Sequence, residues 1–178
     1  MTPVDCASGT DRIAGAAAAW QAVAVVNIQG DEPLIEPPAI DRLARHLRDH
    51  PEDPMVTLAA PATAADRDDP NVVKVVTDRG GAALYFSRAA IPYRRGSAPV
   101  ADRRHIGIYG YQVRTLLELA ALPPSSLEQS ESLEQLRALE NGIRIRVLDV
   151  AHAWQGVDTM EDLEKVQSIL ASATSTPG

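Results

Sequence analysis

Two aspartates in the sequence are suited to holding a divalent cation between them. Asp31 follows a nearly continuous apolar run over residues 22–28 and sits in a turn beside Gly30. Asp158 lies directly before the pattern of the last helix. Carboxylate and phosphate oxygens together form a typical Mg²⁺ site, because Mg²⁺ prefers oxygen ligands and keeps several waters. The pair therefore predicts Mg²⁺ as a cofactor, with Asp31 and Asp158 as its ligands and as catalytic residues.

Each of these carboxylates also has a purely structural interpretation. The side chain of Asp31 can accept hydrogen bonds from main-chain amides in its own turn. Asp158 can be an acidic group at the positive end of a helix dipole. Position alone does not separate the interpretations, so the metal site depends on the two side chains meeting.

Other polar residues carry weaker chemical signals. Arg88 ends an apolar strand pattern, and its planar guanidinium suits a carboxylate ligand or, alternatively, a structural ion pair. Ser8-Gly9-Thr10 precedes a helical pattern and is able to bind an anion through free main-chain amides. His105 is expected to be a neutral imidazole with a core role. Three-residue spacing indicates the solvated face of one helix for Glu128, Glu131, Glu134 and Arg137.

The elements that must position these residues alternate between helices and strands. The unbroken apolar run before Asp31 is typical of a strand buried on both faces, as in a parallel sheet. Asp78-Arg79-Gly80-Gly81 separates two strand patterns and predicts a β-hairpin. We therefore expect an α/β fold: a Rossmann-like, mostly parallel sheet with helices on both faces and a hairpin insertion. Strands are expected near residues 22–28, 55–60, 72–76, 82–86, 105–111 and 143–148, and helices near 10–20, 37–47, 113–121 and 127–140 and from 159 onward.

Composition limits the class of protein. The 178 residues correspond to a single domain over 1–178, with residues 173–178 as a flexible tail. A net charge of −7 gives no general attraction to nucleic acid or to anionic lipid. The single cysteine cannot form an internal disulfide, and no segment has the pattern of a signal peptide or a membrane span. We expect a cytoplasmic protein without a nucleic-acid or membrane partner.

Several segments, taken in order, resemble one family. They are SGTDR (8–12), VNIQGDEPL (26–34), PNVVKVV (70–76), ALYFSR (83–88), HIGIYGY (105–111), LEQLR (133–137) and GVDT (156–159). Together they resemble the 3-deoxy-manno-octulosonate cytidylyltransferases, also called CMP-KDO synthetases, over nearly the whole chain. The resemblance implies a nucleotide-diphospho-sugar transferase-like fold.

The same resemblance implies a reaction and a set of site residues. The anomeric hydroxyl of 3-deoxy-D-manno-octulosonate (KDO) would attack the α-phosphorus of CTP, giving CMP-KDO and pyrophosphate for lipopolysaccharide biosynthesis. Asp31 and Asp158 match the family's Mg²⁺ carboxylates, and Arg88 would face the sugar carboxylate. The protein would be a cytoplasmic homodimer. The KDO pocket would be lined by Gln29, Arg88, His105, Tyr109, Glu134 and Gln135, and the nucleotide side by Ser8, Gly9, Thr10 and Arg12.

One part of the family pattern has no match in the sequence. Family members begin with a strand and a basic, glycine-containing loop that grips the CTP phosphates. We therefore expect the domain to be partial at its N-terminus, and this chain alone to be less stable than the full family fold and poor or inactive as a transferase. The alternatives are a cytidylyltransferase for 8-amino-KDO or an acylneuraminate, a non-catalytic sugar-binding or dimerising fragment, and a metal-dependent phosphohydrolase.

Overall fold

The structure is a computed structural model that describes residues 9–17, 19, 22–96, 101–157 and 159–174. Helices and strands alternate along these residues, as the sequence predicts. In chain order they are α1 (Gly9–Ala17), β1 (Ala24–Asn27), α2 (Pro37–Asp49), β2 (Met55–Pro61), α3 (Ala64–Asp68), β3 (Lys74–Thr77), β4 (Ala83–Ser87), β5 (Arg103–Gln112), α4 (Val113–Ala121), α5 (Ser126–Glu131), α6 (Gln135–Glu140), β6 (Ile145–Asp149) and α7 (Met160–Thr174).

The described strands form one six-stranded sheet in which β5 is central. The α/β class is confirmed, but the expectation of a mostly parallel sheet is wrong. Strand β5 runs antiparallel to β1, β2 and β3, and β3 runs antiparallel to β4. Among the described strands, β2 and β6 form the parallel pair. An unbroken apolar run reports burial on both faces of a strand, and it carries no information about strand direction.

Strand β5 divides its edge between two partners. Its C-terminal half pairs with β1, from Asn27 opposite Tyr109 onward, whereas its N-terminal end pairs with β3 through Arg104. On the other edge, the register with β2 jumps from Tyr109 to Ile106. The intervening residues form a β-bulge, a feature that often re-aims side chains next to functional sites. The stretch of β5 from residue 105 to 109 therefore lies between the end of β1 and the start of β3.

Helices cover both faces of the sheet, as expected. On one face, α2 buries Leu43 and Leu47 against strand residues such as Val56 and Ile108. On the other face, α1, α4 and α6 pack over a second set of buried side chains that includes Tyr109. Alternation along β2 and β5 sends neighbouring side chains to opposite faces, so each strand contributes to both clusters.

The predicted hairpin is confirmed. Strands β3 and β4 pair antiparallel across a turn in which the main-chain N–H of Asp78 donates to the Ala82 carbonyl over 2.8 Å. The Asp78 carboxylate accepts from the N–H of Ala82, also over 2.8 Å. Gly81 has φ +82°, a value that glycine adopts without the steric cost of a side chain.

The expected single helix over residues 127–140 is interrupted. Helices α5 and α6 are separated at Ser132, which is left-handed with φ 53°. Glu128 and Arg137 lie on opposite sides of this break and form a buried ion pair, with the Arg137 Nε 2.8 Å from Glu128 Oε2. The prediction of one solvated helix face is therefore wrong for these two residues, because three-residue spacing does not report a change of direction between them.

Candidate functional site

A cavity of about 800 Å³ lies on the sheet face covered by α1, α4 and α6. It opens where β5 passes from β1 to β3, and its wall is completed by the turn after β1 and by the break between α5 and α6. Helix α1 and the segment before α6, which are far apart in the sequence, therefore line the same cavity. Of the sequence-predicted site residues, the cavity brings together Thr10, Arg12, Gln29, Asp31, His105, Tyr109, Glu134 and Gln135.

The ring of His105 forms a hydrogen bond with the hydroxyl of Thr57 on β2. Its Nε2 lies 2.9 Å from the Thr57 Oγ1, and its ring makes an edge contact with Phe86 at 5.0 Å between centroids. Burial lowers the pKa of His105 to about 3, so the imidazole is neutral at physiological pH. The expectation of a neutral imidazole is thus supported, and its position places it in the cavity wall.

Tyr109 presents a buried hydroxyl to the cavity. The residue is 6% exposed, and its oxygen has no hydrogen-bond partner among the residues that the structure describes. Burial raises the pKa of Tyr109 well above its usual value, so the hydroxyl keeps its proton. Leaving such a group unpaired costs about 1–3 kcal/mol, which a ligand oxygen can recover by pairing with it.

A hydrogen bond between two side chains joins α1 to the segment between α5 and α6. The Thr10 hydroxyl donates to Glu134 Oε2 over 2.7 Å. Tyr111 lines the same cavity, and burial raises its pKa. The predicted nucleotide-side residue Thr10 and the predicted sugar-side residue Glu134 are therefore in direct contact.

The turn after β1 holds Asp31 at the rim of the cavity. The N–H of Glu32 donates to the Gln29 carbonyl over 3.2 Å, which closes the turn. Asp31 itself is exposed, and its carbonyl accepts a 2.8 Å hydrogen bond from the N–H of Val157. Asp158, the next residue along the chain, lies outside the described residues.

The described residues at this rim supply only some of the oxygen ligands that a hard cation such as Mg²⁺ binds. Asp31 offers an exposed carboxylate, which is a ligand that Mg²⁺ prefers. Within the described ranges, no group of three or more His, Cys, Asp or Glu side chains converges on one point. A site of one or two carboxylates completed by waters and substrate phosphates is the usual arrangement for Mg²⁺, and the exposed Asp31 carboxylate is compatible with it.

Arg88 is not among the residues that line the cavity. Its Nε donates to the Glu131 carbonyl over 2.9 Å and its Nη1 to the Pro70 carbonyl over 3.0 Å. The Glu131 carboxylate accepts in return from the Arg88 N–H and from the Ser87 hydroxyl. In this structure Arg88 therefore ties the end of β4 to the break between α5 and α6.

Ser8 and Gly9 are the remaining predicted nucleotide-side residues. Gly9 is the first residue of α1, and Ser8 lies outside the described residues. Sequence reasoning missed three residues that belong to the site: Asn27 and Tyr111 line the cavity, and Thr57 supports His105. Asn27 did leave a signal, since it is a polar residue inside an apolar run.

No helix in the described part of the chain is both long and apolar enough to span a membrane.

Comparisons with known proteins identify related sequences. A family model described as cytidylyltransferase matches residues 1–145. The chain is 53% identical over 168 residues to the 3-deoxy-manno-octulosonate cytidylyltransferase of Anaeromyxobacter sp. (strain Fw109-5), covering 93% of this chain and 68% of that protein. It is 50% identical over 175 residues to the protein of the same name from Solibacter usitatus (strain Ellin6076), covering 97% of this chain and 69% of that protein.

Solved structures agree with these sequence matches. CMP:2-keto-3-deoxy-manno-octonic acid synthetase complexed with CTP superimposes with a TM-score of 0.92 at 43% identity, covering 97% of this chain and 72% of that one. A glucose-1-phosphate thymidylyltransferase from Bacillus anthracis shares the fold alone, with a TM-score of 0.58 at 13% identity over 94% of this chain and 62% of that one. The fold, the family model and the identity to these relatives together establish that this chain belongs to the 3-deoxy-manno-octulosonate cytidylyltransferase family.

Proposed function

We propose that this protein transfers CMP from CTP to KDO. A bond forms between the anomeric oxygen of KDO and the α-phosphorus of CTP, and the hydroxyl proton passes to solvent. The bond from that phosphorus to the oxygen shared with the β-phosphate breaks, and pyrophosphate leaves with that oxygen. The observation that carries the proposal is the two-sided cavity: Thr10 and Arg12 line it from α1, whereas His105, Tyr109 and Glu134 line it from β5 and the segment before α6.

The lining residues support a polyhydroxylated ligand on the β5 side. His105 is neutral, Tyr109 keeps a protonated hydroxyl without a partner among the described residues, and Gln135 adds a buried amide. These groups can hydrogen bond sugar hydroxyls without burying an unpaired charge. In this assignment, Gln29, His105, Tyr109, Glu134 and Gln135 bind KDO.

The sugar carboxylate requires a cation. Arg88 remains our proposed partner, but its guanidinium donates to two main-chain carbonyls outside the cavity wall. It would have to redirect its remaining N–H groups toward a bound ligand. On the nucleotide side, Arg12 supplies positive charge, and Ser8, Gly9 and Thr10 complete the segment we assign to CTP.

We assign Mg²⁺ to Asp31 and Asp158. When bound, the ion would neutralise charge on the triphosphate and on the departing pyrophosphate. The support is local: the N–H of Val157 is hydrogen bonded to the Asp31 carbonyl, so the residue before Asp158 is attached to the Asp31 turn. We further propose that the protein works as a homodimer in the cytoplasm, the compartment that supplies CTP.

Phosphorus NMR of the purified protein with CTP, KDO and Mg²⁺ tests the reaction. We expect CTP signals to be replaced by those of pyrophosphate and of a CMP phosphodiester, only when KDO is present. Orthophosphate formation without KDO would instead identify a phosphohydrolase. KDO binding by calorimetry without any turnover would support a non-catalytic sugar-binding fragment. Faster turnover with 8-amino-KDO or an acylneuraminate would reassign the sugar.

A further inference from the structure

The hydroxyl of a buried threonine contacts a ring nitrogen of His105. Thr57 is fully buried on β2, and its Oγ1 is 2.9 Å from His105 Nε2, 2.8 Å from the Ile108 carbonyl oxygen and 3.2 Å from the Ile106 carbonyl oxygen. These contacts occur at the β-bulge, where the register passes from Thr57 opposite Tyr109 to Leu58 opposite Ile106. The hydroxyl thus occupies the place where the regular ladder of the sheet is interrupted.

The hydrogen count of this cluster determines which ring nitrogen carries the proton. A threonine hydroxyl has one hydrogen to donate, and a carbonyl oxygen can only accept. A separation of 2.8 Å between the Thr57 and Ile108 oxygens requires that hydrogen to lie between them. Toward His105 the hydroxyl can therefore only accept, so Nε2 must be the protonated nitrogen.

The other ring nitrogen is then left as an acceptor. Nδ1 has no hydrogen-bond partner among the described residues, and His105 lines the cavity. An imidazole protonated only on Nε2 is neutral, in agreement with the effect of burial on this residue. It can accept a hydrogen bond from a ligand hydroxyl and cannot donate one from Nδ1.

We propose that Thr57 is a positioning residue that fixes His105 as the Nε2–H tautomer and thereby prepares Nδ1 to accept a hydrogen bond from a hydroxyl of the bound sugar acid. The ligand part of this inference rests on the proposed function. The tautomer part rests only on the contacts within the sheet, so the two can fail separately.

The tautomer can be measured by long-range proton–nitrogen NMR on protein carrying ¹⁵N-histidine. The chain has four histidines, so replacing each by glutamine assigns the signals. Wild type and Thr57→Ser should show a protonated Nε2 at His105, because serine keeps the hydroxyl. Thr57→Val should move the proton partly or fully to Nδ1. Thr115→Val, a buried threonine on α4, controls for general loss of packing and should leave His105 unchanged.

KDO affinity by calorimetry tests the consequence for the ligand. Thr57→Val should weaken KDO binding by about tenfold, the effect of losing one hydrogen bond, and Thr57→Ser should restore it. A protonated Nδ1 in wild type, an unchanged tautomer in Thr57→Val, or unchanged KDO affinity in that variant would overturn the proposal. Failure of the proposed transferase reaction would appear as missing pyrophosphate in wild type and would not alter the tautomer result.

Discussion

The Tyr109 hydroxyl is the buried side-chain atom of the cavity wall that lacks a hydrogen-bond partner among the described residues. A neighbour on the same strand, Tyr111, also lines the cavity. The two tyrosines share a strand, a face and nearly complete burial. Of the two, Tyr109 is the one whose hydroxyl is fully buried without a partner among the described residues.

Tyr109→Phe should leave the free energy of unfolding unchanged or raise it by up to about 1 kcal/mol, because it removes an unpaired buried oxygen. The same change should weaken KDO binding by about tenfold. Urea unfolding and calorimetry measure both effects. Unchanged KDO affinity in Tyr109→Phe would contradict our assignment of this hydroxyl.

Part of the candidate site could be predicted from the residue types in the sequence. The types and order of the segments around Asp31, His105 and Glu134 were sufficient to predict residues that the fold brings to one cavity. Thr57 could not be found in this way, because its role depends on a bulge that pairs it with carbonyls 49 and 51 residues away. Arg88 shows the converse: its residue type suits a carboxylate, but the main-chain carbonyls of Glu131 and Pro70 already accept from it.

At the scale of elements, the break between α5 and α6 is fixed by a buried ion pair. The hydrogen bond from Arg137 lowers the pKa of Glu128 below its usual value of 4.5. Ser125 caps α5 through the same glutamate, whose Oε2 accepts from the Ser125 N–H over 2.9 Å. Glu128 therefore stabilises both the start of α5 and its connection to α6.

This arrangement predicts an acid-dependent loss of stability. A carboxyl whose pKa is lowered by folding stabilises the protein above its unfolded pKa, and the contribution disappears as pH falls through the folded pKa. Glu128→Gln should cost about 3–5 kcal/mol at neutral pH, because it removes the carboxylate that pairs with the buried Arg137 guanidinium. Between about pH 5 and pH 3, wild type should lose more stability than this variant.

Urea unfolding across that pH range provides the measurement. Asp41→Asn serves as the control, since Asp41 pairs with Arg45 on an exposed helix face. Exposed pairs of this kind contribute little, so the control should follow the wild-type curve. Parallel pH curves for wild type and Glu128→Gln would show that the ion pair does not carry the acid sensitivity.

The contact between α2 and the sheet depends on a glycine of β5. A Cβ added at Gly110 would lie 2.6 Å from Leu47 Cδ1 and 2.8 Å from Val56 Cγ1. Gly110→Ala should therefore lower the free energy of unfolding by about 1–3 kcal/mol through overpacking. Gly15→Ala on α1 is the matched control, because its Cβ meets no atom within 4 Å and alanine favours a helix by up to about 1 kcal/mol. Equal thermal stability of both variants would contradict this packing.

At the scale of the whole molecule, the sequence predicted which elements form more reliably than how they pair. Helix α4 occupies residues 113–121 as expected, and the hairpin and the helices on both faces are present. Strand direction could not be read, because central strands of parallel and antiparallel sheets under two helical layers are equally apolar. The division of β5 between β1 and β3, which opens the cavity, is a long-range property that no local pattern encodes.

The net charge of −7 makes binding of a triphosphate depend on local cations and on a metal. Asp31 at the cavity rim is the described residue that we propose as a ligand of this metal, and the exposed Asp41 on α2 offers the same chemistry away from the cavity. Asp31→Asn removes one charged oxygen ligand with little change in volume. Asp41→Asn makes the same substitution without touching the site.

The most direct test of the proposed metal site is the Mg²⁺ dependence of pyrophosphate release in the presence of KDO. It is measured for wild type, Asp31→Asn and Asp41→Asn. We predict that removing Mg²⁺ with a chelator abolishes release, that Asp31→Asn lowers the rate by at least about a hundredfold with unchanged thermal stability, and that Asp41→Asn matches wild type. A wild-type rate for Asp31→Asn at limiting Mg²⁺ would contradict the role given to this carboxylate.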